Sequence, residues 1–190
     1  PWGKAMMWIF LVSDTFIFTC FLTSYMHVRW TSTEPWPYAS EIFALSFGGE
    51  PIPLILIAIM TFILITSSWF MVRSLHAIQH GDQRGLVRWL GATILGGSVF
   101  LSVQVYEYYQ LIVHHHSLPN TDIFWSTFYA MTGFHGLHVL VGILWLVALW
   151  IGAVRGKYTR ENYLRIELGG LYWHFVDLVW VLLFTIVYLM

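Results

Sequence analysis

The stretch IFWSTFYAMTGFHGLHVLVGILWLVALWIGAV, residues 123–154, decides the fold class. An α-helix rises about 1.5 Å per residue, so roughly 20 mostly apolar residues are needed to cross the hydrocarbon core of a bilayer. This run exceeds that length and contains no Asp, Glu, Lys or Arg. Working outward from it, four more segments meet the same test, at about Ala5 to Val28, Pro53 to Ser74, Leu86 to Val113 and Leu168 to Met190. Polar or Pro-rich stretches separate them, notably Arg29 to Pro51 and Ser117 to Asp122. The chain therefore reads as all-α: a single integral membrane bundle of five transmembrane helices over residues 1–190, with no room for a soluble domain between helices.

Composition agrees. Of the 190 residues 58% are hydrophobic and only 10% charged, against about 25% charged in a typical soluble domain. The formal net charge is −1 and the Lys and Arg residues form no run, so the electrostatic footprint of a nucleic-acid binder is missing. The lone Cys20 excludes an internal disulfide and a multi-thiolate metal site.

Loops on the cytoplasmic side of a membrane carry the excess of Lys and Arg near helix ends. Lys4, Arg73, Arg84, Arg88, Arg155, Lys157, Arg160 and Arg165 all fall on one side of the alternating topology, and only Arg29 falls on the other. This places the N-terminus in the cytoplasm. The C-terminus then lies outside, together with Glu34, Glu41, Glu50, Asp122 and the triplet His114 to His116, which reads as solvated loop histidine just past the third helix.

Ionisable groups inside transmembrane helices are costly, and they normally face the protein interior. Here the first helix carries Asp14, the third Glu107, the fourth His135 and His138, and the fifth His174 and Asp177. His135 and His138 are three apart, as are His174 and Asp177, so each pair shares a helix face and is expected to form a local hydrogen-bonded couple. Gly133 and Gly136 flank the fourth-helix histidines and are expected to let a neighbouring backbone or side chain approach. The aromatic stripe Trp173, Trp180 and Phe184 on the fifth helix reads as core or subunit packing.

Three readings of the polar set stand side by side. Paired histidines in a helical bundle are a way to make haem or di-metal sites, but the residue three positions after Glu107 is Gln110, not the histidine of a di-iron motif. Intramembrane acids and histidines also serve as proton or ion relays in transporters. In the third reading the groups satisfy one another between helices, or meet lipid headgroups and a partner subunit.

The run Thr132-Gly-Phe-His-Gly-Leu-His-Val-Leu-Val-Gly142, followed on the next helix by Tyr172-Trp-His-Phe-Val-Asp-Leu-Val-Trp180, resembles subunit III of cytochrome c oxidase. Gln104-Val-Tyr-Glu-Tyr-Tyr109 is similar to that family's glutamate-and-tyrosine segment, and Phe10 to Phe18 is similar to the helix bearing its buried carboxylate. The resemblance covers nearly the whole chain and corresponds to the short, five-helix form. Two departures stand out. The buried acid is Asp14, where cytochrome c oxidases usually have Glu and where quinol oxidases also have Asp. An arginine that holds lipid near the cytoplasmic end of the family's penultimate helix falls on Gly152, with Arg155 about one turn on as a substitute.

The resemblance implies an accessory subunit of a proton-pumping, oxygen-reducing complex. Haem and copper would reside in partner subunits and none in this chain, with oxidase subunit I as its main partner, subunit II beside it, and bound phospholipid. It further implies support of proton uptake and of stability during turnover, in the cytoplasmic membrane of a bacterium. Asp14, Glu107, His135, His138, His174, Asp177 and Arg155 would form a buried polar network or contact lipid and neighbouring subunits. A quinol oxidase subunit III, an accessory subunit of a nitric oxide reductase and an independent ion transporter are the alternatives.

Overall fold

The computed structural model describes residues 2–33, 44–47, 50–53, 55–115 and 123–188. Five helices dominate it: α1 (Trp2–Thr31), α2 (Ile55–Gln79), α3 (Gln83–His115), α4 (Ile123–Val154) and α5 (Leu164–Leu183), the last running into a π-helical turn, Phe184–Tyr188. All five are long and apolar enough to cross a membrane. The expected segments are thus all present, mostly with longer ends, because a helix does not stop where the bilayer does.

Two of those ends show why. Gly81 and Gly156 adopt φ of 76° and 72°, a left-handed conformation that costs glycine nothing. Each closes a helix with a wrapped C-terminal turn, in which the Asp82 N–H reaches the Ala77 carbonyl and the Lys157 N–H reaches that of Gly152. Asp82 then caps α3, its Oδ1 accepting the Gly85 N–H at 3.0 Å. At the other end of α3, His114 and His115 continue the helix rather than opening a loop, and His116 lies outside the described residues. Glu34, Glu41 and Asp122 also lie outside them. The helix α5 begins a turn earlier than its apolar run, and Glu167 in that first turn pairs with Lys4 of α1 at 2.6 Å, tying the two helices together at that face.

Between α1 and α2 the chain makes a small antiparallel hairpin, β1 (Ala44–Phe47) with β2 (Glu50–Pro53), pairing Leu45 with Ile52 and Phe47 with Glu50. Pro51 and Pro53 are tolerated because each strand has a free edge.

The helices α2, α3, α4 and α5 form a ring in which each contacts its sequence neighbour and α5 closes back on α2. The helix α1 lies along α4 and α5. At the centre of the ring stands Trp173, fully buried. A Cβ on Gly97 of α3 would come within 2.5 Å of its ring, and one on Gly142 of α4 within 3.2 Å, so glycine at both positions makes room for the indole.

Candidate functional site

The ionisable groups of three helices, Asp14, His135, His138 and His174, make links from one helix to another. Asp14 of α1 is 6% exposed, and its Oδ2 lies 3.2 Å from Nε2 of His138 on α4. The other imidazole nitrogen, Nδ1, lies 2.9 Å from the Phe134 carbonyl oxygen. A carbonyl can only accept, so Nδ1 carries the hydrogen directed at Phe134, and Nε2 is the nitrogen that faces the Asp14 carboxyl. Tyr172 of α5 donates to the His138 carbonyl at 2.8 Å, drawing a third helix to the same point.

His135, one turn earlier on α4, is 1% exposed and donates through Nε2 to the Val176 carbonyl of α5 at 3.0 Å. Aromatic rings surround both imidazoles. Phe18 of α1 stands 5.1 Å from His138, and Trp180 stands 5.3 Å from His135. His174 of α5 shares a hydrogen bond of 2.8 Å with Ser68 of α2. Its neighbour Trp173 donates to Ser67 at 3.0 Å, and Trp180 donates to Thr61 at 2.9 Å.

The expectation of local couples is therefore corrected. His138 bonds to Asp14, His135 to a backbone carbonyl and His174 to Ser68, each across a helix boundary. Residues three apart share a face, but in an apolar interior that face is turned toward another helix, which offers shorter and better-aligned partners. Asp177 sits close to the same Ser68, with its Oδ1 unpartnered among the described residues. The expectation for Gly133 and Gly136 is corrected too: a Cβ at either would meet nothing within 4 Å among the described residues, and close approaches between helices fall instead at Gly96, Gly97, Gly142 and Gly169. The serines and threonine on α2 were missed by sequence reasoning, although the adjacent Ser67 and Ser68 in an otherwise apolar helix are the readable signal.

Glu107 stands apart from these links. It lies on the inner face of α3 beside Tyr108 and near Tyr129 of α4. Tyr108 bonds to Thr132. Among the described residues no group of three or more His, Cys, Asp or Glu side chains is placed to hold a metal ion.

Arg155 is exposed just past the end of α4. It does not line the groove of about 410 Å³ that opens beside it, whose cations are Lys157 and Arg165 and whose walls include Trp145, Leu149, Gly152 and Tyr158. Tyr158 lies over Gly152 so closely that a Cβ there would come within 2.9 Å of its ring. An arginine at 152 would have to displace that ring.

The sequence matches the family model for cytochrome c oxidase subunit III over residues 3–190. Among curated relatives, the cytochrome c oxidase subunit 3 of Synechocystis sp. is 39% identical over 184 residues, covering 96% of this chain and 73% of that one. The protein of the same description from Alkalihalophilus pseudofirmus is 33% identical, with 96% and 84% covered. The quinol oxidase subunit 3 of Bacillus subtilis is 34% identical, again with 96% and 84% covered.

Proposed function

The chain belongs to the cytochrome c oxidase subunit III family, and from that premise we propose that it is the subunit of a bacterial haem-copper oxidase that carries no redox centre of its own. As a subunit III it has its role within an oxygen-reducing complex. The observation that carries the proposal is what the histidines do. His135 and His138 are the residues a buried haem or metal would need, and they commit ring nitrogens to Val176, Phe134 and Asp14. Their work is to fix α1, α4 and α5 against one another.

The remaining assignments follow the same reading. The cation distribution supports a cytoplasmic N-terminus and an external C-terminus in the cytoplasmic membrane. The helix α1 is the least buried of the five and exposes Thr19, Cys20, Thr23, Ser24 and His27 along one face. Small and polar side chains favour contact with another helix over contact with lipid tails, so we assign this face to the haem-bearing subunit I. The groove under Lys157 and Arg165 suits an anionic phospholipid, with headgroup on the cations and acyl chain along Trp145 and Leu149. Through these contacts the chain would sustain proton uptake and protect the complex during turnover. Relatives described as cytochrome c and quinol oxidase subunits stand at comparable identity, so the electron donor is a matter for the partner subunits.

The test is a mild-detergent pull-down from native membranes, read by the reduced-minus-oxidised visible spectrum and by oxygen uptake with reduced cytochrome c and with quinol. Haem in the complex and none in the separated chain is expected. A haem-free preparation, or haem that stays with the isolated chain, would overturn the proposal.

A further inference from the structure

We infer that the interior between α3 and α4 contains a binding site for ordered water, built by Gln104 and Glu107 and separate from the Asp14–His138 link. The two residues are three apart on the inner face of α3, the face that also carries Gly97 and Phe100 into the core. Gln104 is 3% exposed and Glu107 is 6% exposed. The Oε1 of Gln104 and the Oε2 of Glu107 lack a hydrogen-bond partner among the described residues, and the Gln104 Nε2 has none there beyond the neighbouring Tyr108 hydroxyl. Buried polar atoms are paired in folded proteins with protein groups or with ordered water, and incompletely paired groups within one helical turn point to a shared partner.

The chemistry of the three atoms selects the ligand. Gln104 Nε2 is a donor, while Gln104 Oε1 and Glu107 Oε2 are acceptors. A cation would satisfy the oxygens and face an N–H. An anion would satisfy the N–H and face a carboxyl. Water, with two hydrogens and two lone pairs, serves both kinds. The adjacent Tyr108 extends the site: Thr132 spends its own hydrogen on the Phe128 carbonyl, so Tyr108 donates to Thr132 and keeps its lone pairs for a further partner. One of them faces the Gln104 amide, whose second hydrogen is left for the site.

The experiment is electron cryo-microscopy of the intact membrane complex purified through this chain, at a resolution that shows ordered water. A density peak within hydrogen-bonding distance of both the Gln104 amide and the Glu107 carboxyl is expected. The companion variant Gln104→Leu should lose that peak while the α3 backbone stays in place; if the variant does not assemble, the unmodified map decides alone. Glu107 and Gln104 bonded directly to each other, a side chain of a neighbouring subunit filling the space, or a peak with the short, oxygen-only coordination of a metal ion would each overturn the inference. The visible spectrum of the same preparation reports separately on the oxidase assignment, so either conclusion can fail without the other.

Discussion

Gly97→Ala should destabilise the bundle by about 2 kcal/mol through a single contact. The added Cβ would stand 2.5 Å from Cη2 and 2.9 Å from Cζ2 of Trp173, and 3.2 Å from Cγ1 of Ile143, where ordinary contact begins near 3.4 Å. The indole must therefore retreat by nearly 1 Å, and Gly142 already touches it from α4. Overpacking of this kind costs roughly 1–3 kcal/mol. Retreat also stretches the 3.0 Å bond from the indole N–H to Ser67, a loss of about 0.5–1.5 kcal/mol. Against this, alanine gains up to about 1 kcal/mol over glycine in a helix interior. The balance lowers the melting temperature by about 4–8 °C for a chain of this size, read as loss of the monodisperse species on heating in detergent. Gly136→Ala is the control, since its Cβ meets nothing within 4 Å among the described residues, and in the same assay on the separated chain it should lose no stability and gain up to about 1 kcal/mol from helix propensity. Phenylalanine lacks the two Trp173 atoms that clash, so Trp173→Phe should relieve part of the Gly97→Ala defect. If Gly97→Ala were as heat-stable as Gly136→Ala, the wedged indole would not be the keystone argued for it.

Three other expectations follow from the interhelical links. Asp14→Ala leaves His138 Nε2 without its partner and should cost roughly 1–3 kcal/mol in heat stability, whereas Asp14→Asn keeps a hydrogen for that nitrogen and should cost much less; equal losses would mean that charge, not the hydrogen bond, matters there. Ser68→Ala and His174→Ala should each destabilise, and the double variant should be little worse than either single one, because both remove the same 2.8 Å bond; strictly additive losses in a double-mutant cycle would refute the pairing. Removing Lys157 and Arg165 together should weaken retention of anionic phospholipid by about 2 kcal/mol, or about 30-fold, at about 1 kcal/mol per cation. Mass spectrometry of co-purified lipid measures it, and Arg155→Ala should matter less; if Arg155→Ala alone removed the lipid, the groove assignment would be wrong.

Helix number and placement were legible because a bilayer imposes one length and one composition on every crossing. The run at residues 123–154 coincides with α4 end to end. Hydropathy alone put the end of α2 at Ser74 and the start of α3 at Leu86, short of the observed Gln79 and Gln83; the signal it passed over is Gly81-Asp82, where a residue free to turn left-handed precedes a capping carboxylate. The hairpin was legible only as a Gly48-Gly49 step between two short apolar runs, a signal that the surrounding prolines obscured. Site residues were harder to read. Which residues are polar and intramembrane is a property of sequence, but which partner each one takes depends on the rotation of helices about their axes. His138 is as close in sequence to His135 as His174 is to Asp177, yet the observed partners are Asp14, 124 positions away, and Ser68, 106 positions away. Glycine carries the same ambiguity: Gly97 and Gly136 look alike in a hydropathy profile, and only one of them faces an indole.

Between transmembrane helices there is little hydrophobic driving force, because lipid tails are as apolar as the side chains they would replace. Cohesion must come from close packing, most extensive between α2 and α3, and from hydrogen bonds, many of which involve α5. Four of its residues, Tyr172, Trp173, His174 and Trp180, donate or share bonds with α4 and α2. The helix α1 is held differently, by the Lys4–Glu167 ion pair near one end, by Asp14 on His138 deeper in, and by Phe18 among Phe134, His138 and Phe175. That arrangement bears on why the acid is aspartate. Phe18, 3% exposed, is one turn from Asp14 and sets the distance between α1 and α4. At that distance the short carboxylate already reaches His138 Nε2 at 3.2 Å. Glutamate would need either a wider separation of α1 from α4, at the expense of the Phe18 contacts, or a folded side chain in a space already filled by rings. Acid length and helix spacing are thus two readings of one constraint, and a homologue with glutamate here should hold its first helix farther from the fourth.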